Sequence, residues 1–213
     1  MLASHSEVFI PLRETAMFID ADKRTEKIER FRTSAISSGR PFWAEKTPRH
    51  IHYLSEARRE FPNAWFILMV RDGRDVVASL KTRLGSAEKG VARWVRDNTK
   101  VIAHLDDEDT ILLRYEDLIE NPRTELQRVC KGVGLPFSDD MLRYHEVERE
   151  WFGSKKMKPT SGIDGQEHRE NRSWQVNQPI FDARGKWRKV LNQEDLQLLE
   201  KTVFKSTMMR LGY

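Results

Sequence analysis

The sequence predicts an α/β fold with parallel strands, and two short apolar segments carry that prediction. Residues 65–70 (WFILMV) form a continuous apolar run that ends at residues 71–74 (RDGR), and residues 76–80 then place apolar side chains at helical spacing. A short apolar run that is ended by charge and glycine is typical of a strand buried on both faces of a parallel sheet. Residues 110–115 (TILLRY) predict a second strand of this kind.

The other segments predict helices around these strands. Helices are expected at about residues 23–37, 47–61, 86–105, 121–133, 138–151 and 192–210, with a short strand at 42–45. Thr47-Pro48 and Asn121-Pro122 each place a capping residue before a proline, as at helix starts. Residues 152–182 are polar and contain Gly, Ser, Pro and Asn, so a long functional or disordered loop is expected there.

Composition limits the class of protein. The 213 residues suit one domain over 1–213, with 38% hydrophobic and 33% charged residues and a net charge of +4. No block of like charges is present, which disfavours a nucleic-acid-binding tail. The single cysteine, Cys130, excludes an internal disulfide framework and is expected to be buried. No membrane-spanning run and no signal-peptide pattern are seen, so a cytoplasmic location is expected.

Arg71 and Ser79 are the first candidate site residues. Ligands of open α/β sheets lie outside the carboxyl ends of the strands, and Arg71 directly follows one. A guanidinium and a hydroxyl on the next helix could hold one phosphate between them. The alternative, a surface arginine and a helix-capping serine, stays open on these residues alone.

Three sequence blocks in order resemble the family of PAPS-dependent sulfotransferases, where PAPS is 3′-phosphoadenosine 5′-phosphosulfate. They are residues 46–50 (KTPRH), 61–79 (FPNAWFILMVRDGRDVVAS) and 112–118 (LLRYEDL). The resemblance is strongest to the tyrosylprotein sulfotransferase branch and its bacterial relatives. It implies a three-layer α/β fold of the P-loop NTPase-like sulfotransferase type, in which a parallel sheet is flanked by helices. It also implies transfer of a sulfuryl group from PAPS to an acceptor hydroxyl, without a metal.

The resemblance assigns roles to eight residues. Glu14 corresponds to the general base, Lys46 to the lysine on the bridging oxygen, and Ser173 to a serine near the sulfuryl group. The residues that correspond to nucleotide contacts are Arg71, Ser79, Arg83, Tyr115 and Lys186. The residues alone favour a different interpretation, in which Glu14 is a solvated glutamate paired with Arg13 and Lys46 is a solvated lysine between strand and helix.

The sequence also departs from the family pattern. The family has a strand and a P-x-S-G-T-[ST] loop before its first helix, and this sequence contains neither, so a domain without the first strand is expected. A catalytically silent PAPS-binding module or an enzyme fragment is therefore the alternative function, and a nucleic-acid binder is a weaker one. The branch has an arginine where this chain has Ala16, so peptide tyrosine, carbohydrate and lipid hydroxyls all remain open as acceptors. Neither nucleic acid nor a membrane is expected as a partner.

Overall fold

Parallel strand pairs are the framework of the fold, and the apolar runs at residues 65–70 and 110–115 predict one of the two pairs. The computed structural model describes residues 1–147 and 174–213, which group into two units. Unit 1 comprises Met1–Ala64 and Gly134–Pro179, and unit 2 comprises Trp65–Val133 and Ile180–Tyr213. Each unit contains one pair of parallel strands together with helices, so the α/β prediction is confirmed. The prediction of a single domain stays a prediction.

Unit 1 is built on strands β1 (Val8–Phe9) and β2 (Phe42–Trp43), which pair in parallel with Val8 opposite Phe42. Helix α1 (Arg24–Ser37) connects them, and a 3-10 helix (Pro48–Tyr53) leads into helix α2 (Leu54–Glu60). Helix α1 buries Ile28, Phe31 and Ala35 on one face, because residues three, four and seven apart share a helix face. The Phe31 ring meets the Phe61 ring edge to face at 6.1 Å, which closes the core beside α2.

Unit 2 is built on strands β3 (Phe66–Val70) and β4 (Thr110–Arg114), paired in parallel over five residues from Phe66 opposite Thr110. Its helices, in chain order, are α3 (Gly73–Leu84), α4 (Ala87–Ile102), α5 (Tyr115–Glu120), α6 (Pro122–Gly132), α7 (Trp187–Val190), α8 (Gln193–Leu199) and α9 (Thr202–Arg210).

Close packing fixes the turn between β3 and α3. A Cβ on Gly73 would lie 2.8 Å from Trp94 on α4 and 2.8 Å from Phe204 on α9, so only glycine fits there. The Trp94 and Phe204 rings themselves are 4.8 Å apart. At Asp72, the side chain caps α3 by accepting a hydrogen bond from the Arg74 amide. The end of β3, and with it Arg71, is therefore held by the core of unit 2.

Three expectations about local structure are wrong. Strand β3 is not buried on both faces, since Leu68 and Val70 are buried while Met69, which points the opposite way, is 56% exposed. In place of a helix from residue 138, the described residues contain two 3-10 turns, Asp139–Met141 and Tyr144–Glu146. The helix expected at 192–210 is divided into α8 and α9, because Lys201 has an extended backbone with ψ of 133°.

Candidate active site

Glu14 and Lys46 are in direct contact in unit 1. Lys46 follows strand β2, and its Nζ donates a hydrogen bond of 2.6 Å to Oε1 of Glu14. The side chains are 23% exposed for Glu14 and 49% for Lys46, so both are accessible to solvent. The structure thus brings together Glu14 and Lys46, two of the three residues predicted to be catalytic.

Glu45, the residue before Lys46, is the centre of a hydrogen-bond network that the sequence analysis missed. Its Oε1 accepts bonds from the amide of Thr15 (3.1 Å), the hydroxyl of Thr15 (2.8 Å) and the hydroxyl of Thr47 (2.6 Å). Its Oε2 lies 3.0 Å from Nδ1 of His50. Burial alone would raise the pKa of the Glu45 carboxyl, yet the hydrogen bonds from His50 and Thr47 hold that pKa below its ordinary value.

Thr47 and His50 extend this network to the segment that follows Glu14. The Ala16 amide donates to Oγ1 of Thr47 (3.2 Å), and the Phe18 amide donates to Nε2 of His50 (3.4 Å). Ala16 has a φ of 51°, in the left-handed region that non-glycine residues seldom adopt. Thr47 occupies the predicted N-cap position, but its side chain makes no cap hydrogen bond; the hydroxyl instead accepts from the Ala16 amide and donates to Glu45.

Arg71 lies at the end of β3 in unit 2, as predicted. Its Nη2 donates to the carbonyl oxygen of Ala183 (2.6 Å), and its Cζ lies 4.6 Å from the centroid of the Tyr115 ring. Its Nε is buried and has no hydrogen-bond partner among the described residues. A buried donor without an acceptor costs free energy, so this guanidinium has capacity for a further acceptor.

Asp75, on the first turn of α3, brings the segment around Lys186 to Arg71. Its buried carboxylate accepts hydrogen bonds from the amides of Gly185 (2.8 Å) and Trp187 (3.0 Å), and its Oδ2 lies 3.8 Å from Nη2 of Arg71. Lys186 is the residue between the two bound amides, and its Nζ lies 5.5 Å from the ring centroid of Phe181. Asp75 therefore contacts the side chain of Arg71 and the amides on either side of Lys186, and both of these residues are predicted nucleotide contacts.

The remaining predicted nucleotide contacts lie near Arg71 in the chain or in space. Ser79 and Arg83 follow Asp75 at intervals of four residues on α3, so all three share one face of the helix. Ser79 is exposed. The Tyr115 hydroxyl donates to the carbonyl oxygen of Phe181 (3.1 Å). Burial raises the pKa of Tyr115, although the positive charge of Arg71 opposes that shift, so the phenol stays protonated near neutral pH.

The remaining predictions concern Ser173, Cys130, metal binding and membrane-spanning helices. Ser173 lies outside the described residues, so its role stays a prediction. Cys130 is buried, as predicted, and burial raises the pKa of its thiol, which disfavours the reactive thiolate. Within residues 1–147 and 174–213, no group of three or more His, Cys, Asp or Glu side chains is arranged to hold a metal ion. None of the helices in that described part is long and apolar enough to cross a membrane.

Glu45 and Asp75 are the two functional candidates that sequence reasoning missed. Each lies close in sequence to a residue that was identified, since Glu45 precedes Lys46 and Asp75 is four residues after Arg71. That proximity was a usable signal, because a carboxylate beside a functional cation can orient it. The bonds to Thr15 and Gly185, which reveal the roles, join residues 30 and 110 positions apart.

Known proteins with similar sequences and structures indicate what kind of protein this is. Protein-tyrosine sulfotransferase 1 of Danio rerio is 29% identical over 53% of this chain and 35% of its own length. Protein-tyrosine sulfotransferase of Drosophila melanogaster is 27% identical over 69% of this chain and 30% of its own length. The chain thus spans less than half the length of the curated relatives it matches.

A solved structure shares the fold. The sulfotransferase domain from the olefin synthase of Synechococcus PCC 7002 matches with a TM-score of 0.61 at 19% identity, covering 88% of this chain and 64% of that one. Two family profiles also match, one described as the sulfotransferase family over residues 12–139 and one described as the sulfotransferase domain over residues 87–212. The first covers more than half of the sequence, and the chain therefore belongs to the sulfotransferase family.

Proposed function

We propose that this protein transfers a sulfuryl group from PAPS to an acceptor hydroxyl. Membership of the sulfotransferase family supports the reaction class. The observation that carries the nucleotide part is the guanidinium of Arg71, whose buried Nε has no acceptor among the described residues. A phosphate oxygen would satisfy that donor with a charge-assisted hydrogen bond.

The 3′-phosphate of PAPS is the group that this cluster would bind. Arg71 supplies charge and a planar fork of donors, and the Tyr115 ring under it holds the guanidinium plane. Asp75 fixes the backbone on both sides of Lys186 and so presents a second cation in the same unit. Ser79 and Arg83 on the adjoining face of α3 add a hydroxyl and a third cation.

Glu14 and Lys46 would carry the transfer step. Glu14 accepts the proton of the acceptor hydroxyl, the oxygen of that hydroxyl forms a bond to sulfur, and the bond between sulfur and the bridging phosphate oxygen breaks. Lys46 neutralises the charge that develops on the leaving phosphate, and Ser173 would add a hydrogen bond to the transferring group. Like phosphoryl transfer, this reaction needs positioning and electrostatic stabilisation, so no metal is required.

The candidate acceptors are the hydroxyls of peptide tyrosine, carbohydrate and lipid. Relatives named as protein-tyrosine sulfotransferases favour tyrosine. Ala16, which stands where the tyrosylprotein branch has an arginine, argues for a different acceptor. Turnover with a panel that contains one acceptor of each class separates these candidates.

Calorimetric titration with adenosine 3′,5′-bisphosphate tests the proposal, with 5′-AMP as the ligand that lacks the 3′-phosphate. We expect the bisphosphate to bind more tightly than 5′-AMP. Arg71→Ala should weaken bisphosphate binding at least about tenfold, because a hydrogen bond to a charged group contributes about 1.5–3 kcal/mol. Arg96→Ala is the matched control, since Arg96 is an exposed arginine on α4.

The outcomes separate the enzyme from its rivals. Equal affinity for both ligands, or an unchanged affinity in Arg71→Ala, would contradict the 3′-phosphate site. Selective binding without release of bisphosphate from PAPS with any acceptor would favour the silent binding module. Binding that depends steeply on salt and ignores the 3′-phosphate would instead favour a nucleic-acid binder.

A further inference from the structure

We propose that Glu45 is a positioning residue that keeps the carboxylate of Glu14 and the ammonium of Lys46 in contact. The inference rests on the proposed function, since it concerns the two residues that would carry the transfer step. The contacts of the Glu45 side chain are with Thr15, Thr47 and His50. Glu45 acts through the backbone on either side, because it directly precedes Lys46 and binds Thr15, the residue directly after Glu14.

The geometry excludes Glu45 as the base. Oε1 already accepts three hydrogen bonds, from the Thr15 amide, the Thr15 hydroxyl and the Thr47 hydroxyl. Oε2 faces Nδ1 of His50 at 3.0 Å, and the side chain is 13% exposed. With four such contacts and little exposure, the carboxylate is already engaged by the protein on both oxygens, so its contribution is structural order.

One carboxylate thereby joins two separate segments. Residues 14–18 carry Glu14, and residues 45–50 carry Lys46 together with three side chains that accept hydrogen bonds from amides of the first segment. Three amides of the first segment are bound in this way, those of Thr15 by Glu45, Ala16 by Thr47 and Phe18 by His50. The left-handed backbone of Ala16, with φ of 51°, is held inside this set of bonds.

His50 also depends on Glu45 for its orientation. Its Nε2 accepts from the Phe18 amide, so its proton is on Nδ1 and points at Oε2 of Glu45. Two cations on α1 also reach this segment: Nη2 of Arg24 donates to the Phe18 carbonyl oxygen (3.3 Å), and Nζ of Lys27 donates to the Ala16 carbonyl oxygen (3.5 Å). Asp20 lies 3.6 Å from Lys27.

The glutamine analogue cannot reproduce this arrangement. In Glu45→Gln, one oxygen still serves the two threonines, but an NH₂ group then faces Nδ1–H of His50. If His50 moved its proton to Nε2, that N–H would face the Phe18 amide instead. One donor is left unpaired in either case, so the segment that carries Glu14 should loosen.

Competitive acylation of lysines, read by mass spectrometry, tests the proposal without any substrate. The reactivity of Lys46 reports its contact with Glu14, and Glu14→Gln gives the rate without that carboxylate. We expect Glu45→Gln to raise Lys46 labelling about threefold, the factor that loss of a partly exposed ion pair provides. Lys81 of unit 2, which is paired with Asp195, should be labelled at an unchanged rate unless the variant unfolds.

Substitutions of Thr47 provide a matched pair that leaves Glu45 in place. Thr47→Val removes the hydroxyl at nearly constant shape and should raise Lys46 labelling, whereas Thr47→Ser keeps the hydroxyl and should restore the wild-type rate. Unchanged Lys46 labelling in both Glu45→Gln and Thr47→Val would overturn the proposal, as would equal labelling in Thr47→Val and Thr47→Ser. Bisphosphate affinity, measured on the same variants, separates this result from failure of the proposed function, because labelling involves no nucleotide.

Discussion

Glu45 in unit 1 is a largely buried carboxylate and Asp75 in unit 2 a fully buried one. Each is placed beside a cation, yet they leave that cation in different states. Beside Glu45, the ammonium of Lys46 already contacts the carboxylate of Glu14 at 2.6 Å. Beside Asp75, the guanidinium of Arg71 keeps a buried Nε that has no acceptor in the described part of the chain. In the first cluster the cation is hydrogen-bonded to its counter-charge. In the second, Asp75 lies 3.8 Å from the guanidinium, and the unused Nε is a donor that an external anion can use.

The two carboxylates also differ in what they hold. Asp75 accepts from the backbone amides of Gly185 and Trp187, a group that every residue except proline carries. Glu45 accepts mainly from side chains, those of Thr47 and His50 among them. The cluster around Glu45 is therefore specified by residue type, and the cluster around Asp75 by the path of the backbone. Because the first cluster contains Glu14 and Lys46 and the second contains Arg71, we expect substitutions in the first to affect turnover and substitutions in the second to affect nucleotide affinity.

The largest effect is expected for Lys46→Ala. If Lys46 neutralises the leaving phosphate, its removal should lower turnover by about 10²–10³-fold, as for the loss of one group that stabilises a transition state. Bisphosphate affinity should stay within about threefold, because the proposed nucleotide contacts belong to unit 2. Release of bisphosphate from PAPS and calorimetric titration measure the two quantities. Lys23→Ala, at an exposed lysine, is the control, and unchanged turnover in Lys46→Ala would exclude a catalytic role.

Asp75→Asn should affect stability and affinity together. The substitution leaves one amide of the bound segment facing an NH₂ group, which should lower the free energy of unfolding by about 2 kcal/mol. Affinity for the bisphosphate should fall as well, since Lys186 is no longer held between two bound amides. Urea unfolding and titration provide the measurements. Asp106→Asn, at an exposed turn, should change neither, and a loss of stability with full affinity would separate Asp75 from the nucleotide cluster.

The stabilisation that Glu45 provides should depend on pH. Its pKa in the folded protein is below the ordinary value of 4.5, so the unfolded chain takes up the proton first as the pH falls. The stabilisation is therefore complete above pH 4.5 and is lost as the pH falls through the folded-state pKa. Relative to Glu45→Gln, the wild type should be more stable by about 2 kcal/mol at neutral pH.

The check is urea unfolding of the wild type and Glu45→Gln from about pH 7 to about pH 3, a range that crosses the ordinary pKa of 4.5. The difference between their free energies of unfolding should shrink towards the acidic end. A difference that is constant over the whole range would mean that the charge of Glu45 contributes nothing to stability.

The sequence predicts the parts of this protein that depend on local order. The end of β3 and the start of the 3-10 helix follow from apolar runs, glycine and proline. They place Arg71 directly after β3 and Lys46 between β2 and the 3-10 helix. The identity of the family follows from blocks of contiguous residues. These features need no information about which segments pack together.

Features that depend on distant partners were not predictable in the same way. Periodicity does not reveal that Met69 stays exposed, because exposure depends on what covers one face of the sheet. The roles of Glu45 and Asp75 depend on segments that the fold brings to them from far along the chain. The 3-10 turns that replace the helix expected at 138 likewise follow from tertiary context, which overrides local propensity.

The smallest effect, and the one that tests how Arg71 is kept open to an anion, is expected at Tyr115. Its ring lies under the guanidinium at 4.6 Å, while its hydroxyl bonds the Phe181 carbonyl oxygen at 3.1 Å. Tyr115→Leu should weaken bisphosphate binding about threefold to tenfold through loss of the cation–π contact. Tyr115→Phe, which keeps the ring, should bind as the wild type does in the same titration. If Tyr115→Phe were as weak as Tyr115→Leu, the hydroxyl and the segment around Phe181, and not the ring, would be what orients Arg71.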